Sequence, residues 1–334
     1  MNYPAGYISV IGAGSWGTTL AALLAEKGYD VVLWAREAEL VRDINEKRVN
    51  TLHLPGVTLP AQIRATADIV EAVAEARYIV SVVPTQYIRA VFTPLASHLR
   101  TEAVIVSASK GIEIDTFLTP SRILTEITGK PVSALSGPSF AQEVIAHLPT
   151  AVTLATDDKK TGLLLQEIFT TDYFRVYTHD DLIGVEIGGA LKNVIAIASG
   201  ICDGLRLGHD ARAALITRGL SEMARLGVSM GAKAVTFSGL SGLGDLVLTC
   251  TGSLSRNYTV GYKLGQGKRL AEITAETASV AEGVTTTLAA HELSRKRRID
   301  MPIVEQVHLT LYQDKSPAAA VRDLMHRSLK TEFY

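Results

Sequence analysis

The feature that most constrains this chain is at its start. An apolar run, Tyr7 to Ile11, passes directly into Gly12-Ala13-Gly14-Ser15-Trp16-Gly17 and then into an Ala- and Leu-rich segment of helical character. A strand that ends in two closely spaced glycines and continues as a helix has few uses. Gly12 permits the tight turn, Gly14 lets the backbone approach a pyrophosphate, and Gly17 lets the helix pack close to the strand, while the helix N-terminus faces the negative charge. A second apolar run, Asp30 to Trp34, follows at the spacing of a strand-helix-strand unit, which a turn that merely uses glycines would not need. Together these imply a dinucleotide site.

The second run ends in Ala35-Arg36, where an NAD-selective site places a carboxylate for the ribose 2′-hydroxyl. Glu37 and Glu39 come later and read as the start of a helix. Arg36 is suited to a 2′-phosphate, so NADP(H) is the preferred cofactor, with NAD(H) tolerated; a solvated arginine is the alternative at that position.

Further short apolar runs, Tyr78 to Val82, Val104 to Ala108, Ala151 to Ala155 and Phe174 to Tyr177, alternate with helical patterns up to about residue 180. That alternation predicts an α/β fold, a Rossmann-like doubly wound, mostly parallel sheet with helices on both faces. The loops beyond the strand ends, Val83 to Gln86 and Ser107 to Gly111, should border the cofactor. After residue 182 periodic apolar patterns replace the strands: Ile183 to Cys202, Ala211 to Leu226, Asn257 to Leu264, Val284 to Arg297 and Pro302 to Leu311. Two domains are therefore expected, a dinucleotide-binding domain over 1–182 and an all-helical substrate-binding and catalytic domain over 183–334. The stretch Gly239 to Asp245 reads as a tight loop, too apolar for a flexible linker.

Composition narrows the partners. With 33 basic and 34 acidic side chains the net charge is −1, so no global field recruits nucleic acid or an anionic membrane. The run Arg295 to Arg298 closes a predicted helix, where basic side chains complement the dipole. Cys202 and Cys250 have no metal-like spacing and read as small buried hydrophobes in a reducing compartment. The histidines form no ligand pattern, so no metal is expected. Neither a leader pattern nor an apolar run of bilayer-spanning length is evident, which predicts a soluble, cytoplasmic protein without membrane insertion. An apolar helical half makes a homodimer the expected assembly.

Lys192 stands in the middle of Val185 to Ala198, a helix apolar on nearly every face. An ammonium there is paired, snorkelling to water, or working, and removal from water favours the neutral form that exchanges a proton. Gly188 and Gly189, one turn earlier, clear space beside it. Lys110 sits after a strand at the edge where cofactor and substrate would meet, although a loop lysine is more often a surface residue. Ser255-Arg256-Asn257 resembles a helix start in which Ser255 caps and the first amides and Arg256 suit a phosphate; an ordinary cap is the alternative. In Gly137-Pro138-Ser139-Phe140-Ala141 the backbone can approach a ligand and Ser139 can hydrogen-bond it, or the stretch is a structural turn. Asp245 is placed to orient a lysine, to accept from a substrate hydroxyl, or to cap a helix. In Val280 to Val284, Glu282 is suited to accepting from the cofactor or to favouring a helix N-terminus.

Taken in order, Gly12 to Gly17, Lys110-Gly111, Ser136 to Ala141, Gly188 to Asn193, Gly242 to Leu246, Ser255 to Asn257 and Glu282-Gly283 resemble the bacterial-type NAD(P)-dependent glycerol-3-phosphate dehydrogenases over nearly the whole chain. The resemblance implies reversible hydride transfer between NAD(P)H and C2 of dihydroxyacetone phosphate, giving sn-glycerol 3-phosphate for glycerophospholipid synthesis. It implies Lys192 as the catalytic proton donor, with Lys110, Gly137, Ser139, Lys192, Asp245, Ser255, Arg256 and Asn257 binding substrate. Gly12, Gly14, Ser15, Trp16, Gly17, Arg36, Lys110, Ala141, Arg256, Val280 and Glu282 would contact the cofactor. The competing readings are another two-domain reductase, of the hydroxyacid or ketopantoate type, and a non-catalytic NADP(H)-binding sensor.

Overall fold

The computed structural model describes residues 6–276, 281–329, 331 and 332. The chain divides into two compact units, Met1–Lys110 with Leu118–Glu186, and Gly111–Phe117 with Ile187–Tyr334. The short segment 111–117, which a boundary at residue 182 assigns to the first half, thus groups with the second.

The first unit is built on an eight-stranded sheet of β1 (Ile8–Ile11), β2 (Val31–Trp34), β3 (Ile63–Thr66), β4 (Tyr78–Ser81), β5 (Val104–Ser107), β6 (Val132–Ser136), β7 (Thr150–Ala155) and β8 (Phe174–His179). Their spatial order is β3-β2-β1-β4-β5-β6-β7-β8. The first six run parallel, with Ile11 level with Trp34 on one side and Ser81 on the other. The order reverses between β1 and β4, the switch point at which doubly wound sheets bind their ligands. β7 departs from the rest by running antiparallel to β6, and β8 then pairs parallel with β7.

The strands read as continuous apolar runs because both faces of the sheet are covered. Ile8, Val10, Tyr78, Val80 and Val106 enter one core, while Ile11, Ile79 and Ile105 enter the other. Successive side chains of one strand point to opposite faces, so each core takes alternate residues. The first helix, Ser15–Glu26, is buried from Gly17 through Ala25, which explains its Ala and Leu content on every face.

β3 and β6 are strands that the patterning does not announce. β3 holds Arg64 at its centre, and β6 is built from Val132-Ser133-Ala134-Leu135-Ser136, of which only the valine favours a strand strongly. Their neighbours, β2 for one and β5 with β7 for the other, supply the ladder that local propensity does not.

From Ile187 onward no strand occurs among the described residues. The expected helices run Leu182–Gly204, Gly208–Ser229, Arg256–Gly265, Glu282–Arg297 and Pro302–Tyr312, each slightly longer than its apolar pattern. Asp245–Thr251, Leu270–Ala275 and Pro317–Met325 are additional helices. The Gly239 to Asp245 stretch is not a loop but a wide helical turn, Leu240–Gly244, leading into Asp245–Thr251.

At 23 residues, with a mean hydropathy of 1.5 in its most apolar window, the Leu182–Gly204 helix is long and apolar enough to cross a bilayer, contrary to the expectation that no run reaches that length. Within the fold 83% of that window is buried, as befits a core helix. In the second unit it packs backbone to backbone. A Cβ added at Gly200 would lie 2.1 Å from the Tyr258 carbonyl oxygen, and one at Gly261 would lie 1.9 Å from the Ile197 carbonyl oxygen. No other residue type fits that approach.

Candidate active site

In the first unit Gly12, Arg36, Lys110 and Gly137 follow the carboxyl ends of β1, β2, β5 and β6, which lie on one edge of the sheet because those strands are parallel. Gly12 has φ +117°, and a Cβ there would stand 2.9 Å from the Val82 carbonyl oxygen, so the turn requires glycine. At Gly17 an added Cβ would meet the Gly12 carbonyl oxygen at 1.8 Å, so this position brings the helix against the strand. Gly14 differs: a Cβ there meets nothing within 4 Å. Its bareness opens space above the first helical turn rather than relieving a clash.

That first turn contains no acidic side chain, and Gly14, its N-cap, provides no side-chain acceptor. Helix amides without a carboxylate or hydroxyl cap suit an anion, so the cradle fits the pyrophosphate of a nicotinamide dinucleotide. Ser15 donates its hydroxyl to the His53 carbonyl at 2.7 Å. The Trp16 ring is partly buried, 6.5 Å from the Phe174 ring centroid. Its indole Nε1 is buried, with no hydrogen-bond partner among the described residues. Thr19 of the same helix donates to the Ala141 carbonyl at 3.3 Å, tying the first helix to the start of Ala141–Ile145.

Lys110 donates from Nζ to the Gly137 carbonyl at 3.1 Å, and the Ser139 hydroxyl donates to that same oxygen at 3.1 Å. Three of the residues singled out in the sequence therefore meet at one carbonyl. Gly137 has φ +141°, and a Cβ there would come within 2.9 Å of the Val152 Cα. Arg36 is not drawn into this group. Its side chain is 83% exposed and forks onto the Glu37 carboxylate, with Nη2 at 2.9 Å and Nε at 3.1 Å.

In the second unit the residue that organises the polar groups is Lys192. Its side chain is 9% exposed and that of Asp245 is 0% exposed, with Nζ and Oδ1 2.5 Å apart. Nζ also donates to the Thr249 hydroxyl at 2.8 Å, and that hydroxyl lies 3.3 Å from Asp245 Oδ1. Asp245 and Thr249 are four residues apart on Asp245–Thr251, so one helical face presents both to the ammonium. Of the alternatives open for Asp245, orienting the lysine is what its geometry supports.

The turn that delivers Asp245 reaches the lysine helix through glycines. A Cβ at Gly188 would strike the Ser241 carbonyl oxygen at 2.5 Å, and one at Gly242 would strike the Phe237 carbonyl oxygen at 2.2 Å. The space that Gly188 clears is thus occupied by backbone, which brings the aspartate alongside. Cys250, next in the chain to Thr249, is fully buried, and burial pushes its thiol up to about 12. It behaves as a small hydrophobe. Cys202 and Cys250 are both free, and no cluster of metal-ligating side chains occurs among the described residues.

Beside Lys192, Asn193 accepts at Oδ1 from Asn257 Nδ2 at 2.9 Å. Asn257 Oδ1 in turn accepts from the Gly283 amide at 2.9 Å, adjacent to Glu282, the first residue of Glu282–Arg297. Ser255 is the N-cap of Arg256–Gly265, its Oγ accepting from the Tyr258 amide at 3.2 Å. Arg256 is exposed at the first turn. Val280 lies outside the described residues. Thr249 is the partner that residue-by-residue reading misses, and Asn193 enters that reading only within the Gly188 to Asn193 motif, with no role of its own. The Asp245-to-Thr249 spacing of one helical turn was available, but it carries meaning only once that segment is known to be helical.

A family model described as NAD-dependent glycerol-3-phosphate dehydrogenase N-terminus matches residues 7–162, and its C-terminal counterpart matches residues 181–322. The glycerol-3-phosphate dehydrogenase (NAD(P)+) of Citrifermentans bemidjiense is 56% identical over 329 residues, covering 97% of this chain and 98% of that protein. That of Geobacter sulfurreducens is 55% identical over 329 residues with the same coverage. A crystal structure of glycerol-3-phosphate dehydrogenase from Coxiella burnetii matches with a TM-score of 0.93 at 41% identity, covering 96% of this chain and 99% of that one. Agreement along both halves decides against the hydroxyacid, ketopantoate and sensor readings: the chain belongs to the NAD-dependent glycerol-3-phosphate dehydrogenase family.

Proposed function

We propose that this chain catalyses the reversible reduction of dihydroxyacetone phosphate to sn-glycerol 3-phosphate with NAD(P)H, and that the product serves glycerophospholipid synthesis. The observation that carries the reading is the buried Lys192 ammonium held by Asp245 and Thr249. The glycine cradle of Gly12, Gly14 and Gly17 fits the dinucleotide, and the nicotinamide supplies the hydride when bound. Reduction of the C2 ketone leaves negative charge on its oxygen. Lys192 stabilises that charge and delivers the proton, and in oxidation the neutral amine takes the proton back. Asp245 and Thr249 accept two of the ammonium's N–H groups and so fix its direction.

Lys110, Gly137, Ser139, Lys192, Asp245, Ser255, Arg256 and Asn257 hold the substrate in this reading. Arg256 and the amides of its helix take the phosphate. Gly12, Gly14, Ser15, Trp16, Gly17, Arg36, Lys110, Ala141, Arg256, Val280 and Glu282 contact the cofactor, with Arg36 favouring NADPH over NADH. In this reading the dinucleotide fold of 1–182 carries most of the cofactor contacts, and the helical part, 183–334, carries the proton donor and most of the substrate contacts. Lys110, Gly137 and Ser139 serve the substrate from the first, and Arg256, Val280 and Glu282 serve the cofactor from the second. The protein works as a soluble cytoplasmic homodimer. Two-fold assembly is the commonest state of soluble oligomers, and the exposed Val228, Val235, Leu243 and Val247 offer apolar surface for it.

The test is loss of NADPH absorbance with dihydroxyacetone phosphate, repeated with unphosphorylated dihydroxyacetone, ketopantoate and a 2-keto acid. Rapid oxidation only with the phosphorylated ketone is expected. Equal rates with the unphosphorylated ketone, or turnover only with an acid, would overturn the assignment.

A further inference from the structure

The Arg256–Gly265 helix is tied to the lysine helix by more than apolar packing. Tyr258 donates its phenol hydroxyl to Asp203 Oδ2 at 2.6 Å, and that oxygen also accepts from Arg212 Nη1 at 2.6 Å. Arg212 Nη2 lies 3.0 Å from His209 Nδ1, which completes a polar cluster at the end of Leu182–Gly204 and the start of Gly208–Ser229. Burial foremost, and then the bond to Asp203, push the Tyr258 phenol up to about 12, so it remains a donor through the neutral range.

The other end of Tyr258 reaches the helix cap. Its amide donates to Ser255 Oγ at 3.2 Å. This bond occupies a lone pair of the hydroxyl and leaves its hydrogen to be donated to an anion at the first turn. Little slack exists along the contact, because Gly200 admits the Tyr258 carbonyl directly against the lysine helix and Asn257 is bonded to Asn193. Residues 257 and 258 are therefore joined to residues 193, 200 and 203 of the helix that carries Lys192.

We propose that Asp203 and Tyr258 are positioning residues for the substrate phosphate. Their hydrogen bond, braced by Arg212, holds the first turn of Arg256–Gly265 at a set distance from Lys192, so the helix bearing the proton donor also gauges the span from ketone to phosphate. The inference rests on Ser255, Arg256 and Asn257 holding that phosphate. Neither side chain touches the reacting atoms, so their loss acts on substrate affinity rather than on the chemical step.

Steady-state kinetics of Tyr258→Phe and Asp203→Asn, with Arg256→Ala as reference, test this. Both variants preserve shape. The KM for dihydroxyacetone phosphate should rise about tenfold or more in Tyr258→Phe, as expected for a lost hydrogen bond to a charged group, and roughly severalfold in Asp203→Asn, whose amide oxygen still accepts but carries no charge to hold Arg212, with kcat and the KM for NADPH within about twofold in both. An unchanged substrate KM in both variants, or a fall in kcat without a rise in KM, overturns the proposal. If Arg256→Ala raises the substrate KM while the two variants remain silent, positioning alone fails. If Arg256→Ala is itself silent, the phosphate assignment fails and this inference with it.

Discussion

Lys192 is a charged residue that its own helix gives no means of satisfying. Every neighbour from Val185 to Ala198 except Glu186 and Asn193 is apolar or glycine, and the acceptors come from a segment more than fifty residues later. A lone buried ammonium is untenable, so Asp245 and Thr249 are a condition for the fold whatever part they take in the proposed chemistry. Arg36 is the opposite case, an exposed guanidinium paired with Glu37 in water, where such a pair contributes little. It can therefore exchange its carboxylate for a 2′-phosphate at small cost. Arg36→Ala should raise the KM for NADPH about tenfold and leave that for NADH within about twofold. Cofactor titrations showing equal losses would exclude a 2′-phosphate contact. At this scale the sequence revealed glycines well, because strand, turn and helix adjoin. It revealed Asp245 only as one of several options, since nothing local specifies which lysine it faces.

Among the elements, Pro302–Tyr312 shows how a helix is anchored from a distance. Glu222, on Gly208–Ser229, accepts from the Ile303 amide at 2.8 Å and the Val304 amide at 3.2 Å, so a buried carboxylate does the work of a cap. Burial pushes Glu222 up to about 7 from its usual 4.5. Between those values the folded chain retains a proton that the unfolded chain has released, so its contribution to stability falls as pH rises through this window and levels off above 7. Relative to Glu222→Gln, which does not titrate, the wild type should lose about 3 kcal/mol of unfolding free energy from pH 5 to pH 8. Urea unfolding of both proteins measures it, and a constant difference would contradict the shift. Burial lowers His291 and His308, which gives the reverse trend, with stability present above 6.5 and lost on acidification. Both proteins share it, so it cancels. Elements with a strong apolar period were legible in the sequence. β3, β6 and Asp245–Thr251 were not, because their residues are mixed and their neighbours decide their conformation.

Over the whole molecule, the proposed reaction requires a hydride on carbon and a proton on oxygen, and in the proposed reading the groups for the two lie in different units. The first carries the dinucleotide cradle at the reversal of its strand order, and the second carries the ammonium within a helical body locked by glycine contacts. The decisive measurement is Lys192→Ala, assayed in parallel for NADPH binding by fluorescence titration and for turnover with dihydroxyacetone phosphate. Binding within about twofold of wild type, with turnover reduced roughly a thousandfold or more, is the predicted result. Turnover near the wild-type rate would remove Lys192 from the mechanism and contradict the account.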